Sequence, residues 1–225
     1  MSSSCYVSGL YYYPVKSLKG ISLESAEIDE FGIRYDRRFM LIDDKHKFVT
    51  QRTHPLLSQL SVTTSLSSSN DLNTINIHSK SFGILSFNMN QFSLDADITN
   101  VVVWGDSVEA VVLKNKETQC LSEFLGLNVR IVYMPASSFR QIDRQYYAED
   151  NRKRLVIGDI SFEMVKPCSR CVMTTIDSNG LKSVDKEPLK TLSQYRKNDF
   201  GICFGQNLVH LSKGEIRIGD VVTFE

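Results

Sequence analysis

Many short apolar segments, each cut off by turn residues, limit what this chain can fold into more than any other feature it has. They occupy residues 6–14, 23–29, 38–43, 60–64, 74–78, 84–87 and 109–113, and later 129–134, 160–165, 172–176, 208–211 and 221–224. Their Val, Ile, Tyr, Phe and Thr content, with Gly, Asp, Asn and Ser between them, predicts short strands. Strands this short and this numerous point to antiparallel barrels. Gly105-Asp106, Gly158-Asp159 and Gly219-Asp220 recur between apolar flanks. Glycine accepts a positive φ and aspartate can bond its own turn, so these predict tight connections with structural aspartates.

Helical periodicity is confined to two places. Cys120, Leu121, Phe124 and Leu125 form one stripe within residues 115–126, with Asn115 as the expected N-cap and Gly126 as the stop. A second, shorter helix is expected from Pro188, with Leu189, Leu192 and Tyr195 on one face. The Ser-rich stretch 65–71 reads as a polar loop. No repeat or Pro-rich linker marks a boundary, so the lobes are expected to divide softly near 124–129, giving units 1–126 and 127–225. The expected class is mostly β (α+β), two barrels with one or two short helices.

With 225 residues the chain can bury a sizeable core. Its 26 Lys and Arg balance 26 Asp and Glu, so no net charge draws it to nucleic acid or to an anionic membrane, although a local basic pocket is compatible with that balance. No apolar stretch is long enough to span a bilayer, and the start lacks the basic and apolar regions of a secretory signal. Five cysteines, an odd and scattered set, argue against a disulfide framework, and a reducing, cytoplasmic setting is expected. Cys5, Cys120 and Cys203 are expected to be small buried hydrophobes.

The densest chemistry lies in Lys166-Pro-Cys-Ser-Arg-Cys-Val-Met-Thr-Thr-Ile-Asp177. Lys166 and Arg170 flank the sulfurs of Cys168 and Cys171, and nearby cations favour thiolates. The β-branched run Thr174-Thr175-Ile176 is expected to seat this loop at the mouth of a strand. Four readings stay open on spacing alone. A zinc site would need a second close Cys/His pair. A thioredoxin-like pair would need a parallel βαβ setting. The others are two inert cysteines, and one soft thiolate holding a redox metal.

Several motifs beyond this loop follow in a set order. They are Tyr13-Pro-Val-Lys-Ser17, Gly20, Asp36-Arg37-Arg38-Phe39, Thr50-Gln51-Arg52, Trp104-Gly-Asp-Ser-Val108 and Leu121-Ser-Glu-Phe-Leu-Gly126. Downstream come Glu187-Pro-Leu-Lys-Thr-Leu192, Tyr195-Arg196, Phe204-Gly-Gln-Asn207 and Gly214-Glu-Ile-Arg-Ile-Gly-Asp220. Together they resemble the MOSC proteins with an N-terminal MOSC barrel, the group of the YcbX-type enzymes and the mitochondrial amidoxime-reducing component. The resemblance implies that Cys171 ligates the metal of a molybdenum cofactor (molybdopterin) and is the catalytic residue, with Cys168 a neighbour. It implies that Lys16, Ser17 and Arg37 hold the pterin, with Arg52 and Asn207 as further cofactor-binding candidates, since a terminal phosphate needs cations and donors. It also carries an expectation of pyridoxal phosphate binding.

The implied activity is reduction of small N-hydroxylated compounds such as hydroxylamines, amidoximes or N-hydroxylated bases. Electrons would come from a separate flavin or iron–sulfur reductase, because the ferredoxin-like domain fused to some relatives is not found before the sequence ends at Phe224-Glu225. The other reading is a non-catalytic or sulfur-carrier module using Cys171 as a persulfide. One departure bears on both. Relatives carry several dozen more residues between the 129–134 strand and the cysteine loop, including an Asn-x-Arg-Pro-Asn strand. Either Arg140, Arg144 and Arg152 replace those cations or the pocket is incomplete. Asp177 is near the loop but fits a turn equally well, so no proton donor is assigned.

Overall fold

The structure is a computed structural model that describes residues 5–67, 71–89, 97–103, 105–113, 118–138 and 154–225. Within them the fold is antiparallel β-sheet with two α-helices, the mostly β class expected. Arg140, Arg144 and Arg152, together with Asn115 and Trp104, lie outside the described residues.

The first core forms where alternating apolar residues face one another. Strands β7 (Ser61–Leu66), β8 (Leu72–Ser79) and β9 (Gly83–Asn88) make one meander. Their inward positions Val62, Ile75, Ile77, Leu85 and Phe87 are buried, while their alternates face water. Leu121 and Leu125 of helix α1 (Gln119–Leu125) complete that core. The helix stops at Gly126, where φ is 62°, and the Gly126 and Leu127 N–H groups bond the carbonyls of Glu123 and Ser122. That is the Schellman arrangement a left-handed glycine permits, and Gly126 is the stop the sequence predicts.

A second sheet runs in the order β10 (Ile98–Val103), β11 (Asp106–Leu113), β12 (Arg130–Tyr133), β6 (Phe39–Ile42). It is two-faced. Phe39, Leu41, Leu113 and Ile131 join the first core, whereas Ile42, Val101, Val108, Ala110 and Val132 form a separate apolar layer on the opposite face. The period-two alternation of a strand makes this division unavoidable once one face is committed.

The third core draws on both ends of the chain. Leu10, Ala26 and Ile28 pack with Leu155, Ile160, Phe162 and Ile216. Strand β1 (Cys5–Tyr6) pairs with β18 (Val221–Phe224), β2 (Leu10–Tyr12) with β3 (Ile21–Leu23), and β4 (Ser25–Asp29) with both β5 (Gly32–Ile33) and β17 (Gly214–Arg217). Residues 5–33 therefore build the C-terminal lobe as well as the N-terminal one. The six-stranded sheet of that lobe is β1-β18-β13-β14-β16-β15, with β13 Arg154–Ile157, β14 Ile160–Ser169, β15 Lys197–Asn198 and β16 Gly201–His210. Helix α2 (Leu189–Tyr195) lies where Pro188 predicts it.

All three Gly-Asp turns use glycine at positive φ: 99° at Gly105, 55° at Gly158 and 91° at Gly219. Gly158-Asp159 closes the two-residue hairpin between Ile157 and Ile160. The expected strand at 172–176 is instead a 3-10 helix, Val172–Thr175. The reason is local: the Thr174 and Thr175 hydroxyls bond back to the carbonyls of Cys171 and Val172 at 2.9 and 2.7 Å, closing a turn. Cys203 is buried as expected and Cys120 is half-buried, but Cys5 is exposed, because the short edge strand β1 leaves both of its residues in solvent.

Candidate functional site

A cleft of about 820 Å³ opens between the loop after β2 (Leu10–Tyr12), the start of β6 and the turn that carries Cys171. The first of these loops is shaped by what it buries. Val15 and Leu18 sink into the first core, which turns Lys16 and Ser17 toward the cleft. The Lys16 N–H bonds the Phe39 carbonyl at 2.7 Å, and the Phe39 N–H bonds the Pro14 carbonyl at 3.0 Å, tying the loop to β6. Gln51 donates its amide to the Ser17 carbonyl at 2.7 Å. The Lys16 ammonium lies 4.3 Å from the centre of the Phe48 ring.

Ser17 and Arg37 both hold left-handed backbone, φ 69° and 53°. Non-glycine residues persist there only where the surroundings over-determine them. Substituting Ser17→Gly is expected to stabilise the fold by about 1 kcal/mol through relief of this strain, measured by urea unfolding, while removing the hydroxyl from the cleft.

Arg37 is exposed, paired with the Asp36 carboxylate and stacked 5.1 Å from the Tyr13 ring centre. The other Asp36 oxygen accepts the Tyr13 N–H at 2.6 Å. Arg52 follows Thr50, whose hydroxyl accepts from Ser17 at 3.4 Å and donates toward the Met173 sulfur at 3.9 Å. Through that contact the N-terminal loop touches the cysteine turn. A second link is polar: Ser58 and Gln59 each donate, at 2.7 Å, to the carbonyls of Asp177 and Asn179.

Cys171 lines the cleft, immediately before the 3-10 helix. Cys168 is in strand β14 and is absent from the lining. Both sulfurs are free thiols. Among the described residues no three His, Cys, Asp or Glu side chains cluster as a metal site would require, and Cys171 is the one thiol among the described lining residues. Arg170 donates Nε to the Phe204 carbonyl at 2.8 Å and Nη2 to the same oxygen. It thus locks this turn to β16.

The cleft therefore brings together five of the expected residues: Lys16, Ser17, Arg37, Arg52 and Cys171. Asn207 is not among the lining residues; it stands in β16 opposite Lys166. Register shifts in the β14–β16 pairing, between Met164 and Lys166 and between Pro167 and Ser169, alter which side chains face which way. Sequence reasoning also passed over Arg38 and Met173. Arg38 is in phase with Met40 and Ile42 on β6, which is the signal that turns it inward. Among the described lining residues, Lys16, Arg37, Arg38, Arg52 and Arg170 outnumber the single carboxylate Asp36. Such a site favours an anion.

Asp177 does not reach the cleft lining. Its carboxylate accepts the N–H groups of Asn179 and Leu181, both at 2.8 Å, and is held below the usual carboxylate range, chiefly by the Leu181 N–H. A depressed pKa stabilises above the unfolded value, and the contribution is lost as pH falls through the folded one. Asp177→Ala should lower the melting temperature at neutral pH, and the gap from wild type should close on acidification below about pH 4.

Two antiparallel β-lobes meeting at a basic cleft with one thiol define a class, and the comparisons place the chain within it. The MOSC N-terminal beta barrel domain matches residues 4–128 and the MOSC domain matches residues 123–223. The chain belongs to the MOSC family. Mitochondrial amidoxime-reducing component 1 of Mus musculus is 27% identical over 280 residues, covering 96% of this chain and 81% of that protein. The Homo sapiens protein of the same name is 28% identical over 277 residues, covering 96% of this chain and 82% of its own length. Molybdenum cofactor sulfurase of Danio rerio is 21% identical over 93% of this chain, but the match takes in 32% of that protein. An alignment of 280 positions against a chain of 225 residues means that the mouse relative carries several dozen residues with no counterpart here.

Proposed function

We propose that this protein is a molybdenum-cofactor oxidoreductase that reduces N-hydroxylated compounds. The observation that carries this reading is the meeting of Cys171 with Lys16, Ser17, Arg37 and Arg52 around one cleft. These residues fit the group. A soft thiolate suits molybdenum, and the cations with the Ser17 hydroxyl suit a pterin phosphate. Among the described residues, a buried guanidinium nitrogen of Arg38 has no acceptor. The relatives named amidoxime-reducing component support the same chemistry.

When bound, such a cofactor supplies two-electron oxygen-accepting chemistry, so that R–NH–OH, two electrons and two protons give R–NH2 and water. The chain's own residues do the rest. Cys171 offers its sulfur as the protein ligand. Lys16, Arg37 and Arg52 neutralise the anionic end of the group, and the Asp36–Tyr13 bonding orients Arg37 for that task. Val101, Val108, Ala110 and Val132 give the cleft an apolar wall against which the uncharged part of a ligand can pack. Electrons arrive from a separate flavin or iron–sulfur reductase. The test is turnover: protein purified from a cofactor-making host should convert benzamidoxime to benzamidine with a chemical reductant. Metal-loaded protein that leaves the amidoxime untouched would refute the reading.

The relative named molybdenum cofactor sulfurase favours a second reading, in which Cys171 carries sulfur as a persulfide. Intact-mass analysis separates the two, since a 32 Da adduct on Cys171 in metal-free protein belongs to the carrier alone.

A further inference from the structure

The sheet of the C-terminal lobe ends unevenly on the β16 side. Strand β15 covers the outer edge of β16 only at Gly201 and Ile202, which pair with Asn198 and Lys197, and the Cys203 N–H extends that contact to the Arg196 carbonyl. Past Cys203 the strand runs on to His210, and among the described residues no strand pairs with its outer side. The inner side fixes where each backbone group points. The Leu211 N–H bonds the Ser161 carbonyl at 2.8 Å, so Leu211 and Val209 turn their N–H and C=O toward β14, and His210 and Leu208 turn theirs outward. The extra residue of the first register shift lies in β14, between Met164 and Lys166, so β16 keeps its alternation as far as Gln206. The backbone groups of Gln206, Leu208 and His210 therefore point off the sheet. Such a row is a template for another strand, and soluble proteins blunt it with lysine, proline or a covering loop. Residues 200–212 contain no Lys, Arg, Asp, Glu or Pro. Leu208 is 37% exposed, and Phe204 and Leu211, at the two ends of the open stretch, are 55% and 46% exposed.

We propose that the outer edge of β16 pairs with the same edge of a second copy of this chain, antiparallel about a two-fold axis at Leu208. The outward groups set the register. Leu208 faces the partner's Leu208, and Gln206 faces the partner's His210, so each outward N–H meets an outward carbonyl. A two-fold interface sets one patch against itself, and an edge without charge does so without repulsion. The whole chain adds no repulsion of its own, since its 26 basic residues match 26 acidic ones. An acidic or basic strand from another protein would find no countercharge along 200–212. The exposed side chains of Phe204, Leu208 and Leu211 supply the apolar cover that an interface core requires. No residue of β16 is among the lining residues of the cleft, so the pairing draws on a surface outside the proposed catalytic site. It depends on neither molybdenum nor turnover.

Sedimentation equilibrium of the full chain, prepared without cofactor, tests this. Wild type should pass from monomer to dimer as its concentration rises. Leu208→Lys sets two ammonium groups against each other on the axis and should weaken association by roughly tenfold or more. Leu208→Pro removes an N–H that points off the sheet, a place where an edge strand accepts proline, and it should stay monomeric with its fold intact. Hydrogen exchange on wild type adds a reading that needs no variant. The amides of Gln206, Leu208 and His210 should become protected as the concentration rises, while that of Val209 is protected throughout. A wild-type chain that sediments as a monomer at every concentration would overturn the proposal. So would a dimer whose affinity is the same in Leu208→Lys, or one that forms without protecting those amides.

Discussion

Replacing Cys171 with alanine should strip the protein of molybdenum and reduce turnover of an N-hydroxylated substrate to the level without enzyme, while Cys168→Ala keeps both. The two residues are three apart and share the same flanking cations, so sequence chemistry alone treats them alike. Position separates them. Cys171 stands at the cleft just ahead of the 3-10 helix, whereas Cys168 sits within β14, at the register shift between Pro167 and Ser169, and is absent from the lining. Neither sulfur is fully buried, so both variants should unfold within about 1 kcal/mol of wild type. Metal analysis and turnover measured on the same preparations check the contrast. Cys171→Ser sharpens it, because a hard hydroxyl is a poor substitute for a soft thiolate and should retain little metal. Equal losses in the alanine variants at positions 168 and 171 would mean a two-sulfur site.

Phe39→Ala should be among the most damaging single changes to the fold, costing about 3–5 kcal/mol, against a total of about twice that for a domain of ordinary stability. Phe39 is fully buried in the first core, and its ring lies 4.9 Å from that of Tyr133. Its backbone also receives the Lys16 N–H and bridges Val15, so the void opens beneath the loop that presents Lys16 and Ser17. Thermal unfolding should shift down by roughly 10 °C, and Phe39→Leu by much less. A melting temperature unchanged in Phe39→Ala would remove Phe39 from its place as the base of the cleft.

The mostly β class was legible because strand composition and Gly-Asp punctuation are local signals. Gly105, Gly126, Gly158 and Gly219 do what their neighbours in sequence require. Pairing between the chain ends was not legible. Nothing in Cys5-Tyr6 names Val221-Val222 as its partner, since that register is set by burial across the whole length of the chain. Strand β10 was missed because Thr99 and Asn100 interrupt its apolar run, and Val172–Thr175 was misread because threonine serves both strands and back-bonded turns. In the site, Lys16, Ser17, Arg37, Arg52 and Cys171 came from motif resemblance and then met at one cleft. Arg38 did not, because two adjacent arginines look alike until strand phase shows which one turns inward. Asn207 stands off the described lining for the related reason that a bulged ladder does not keep phase.

The measurement closest to the central claim is the molybdenum and pterin content of the wild-type chain, purified from a host that makes the cofactor. Near-stoichiometric molybdenum and pterin, lost together in Cys171→Ala and retained in Cys168→Ala, is the predicted result. A folded wild-type protein that carries neither would contradict the account.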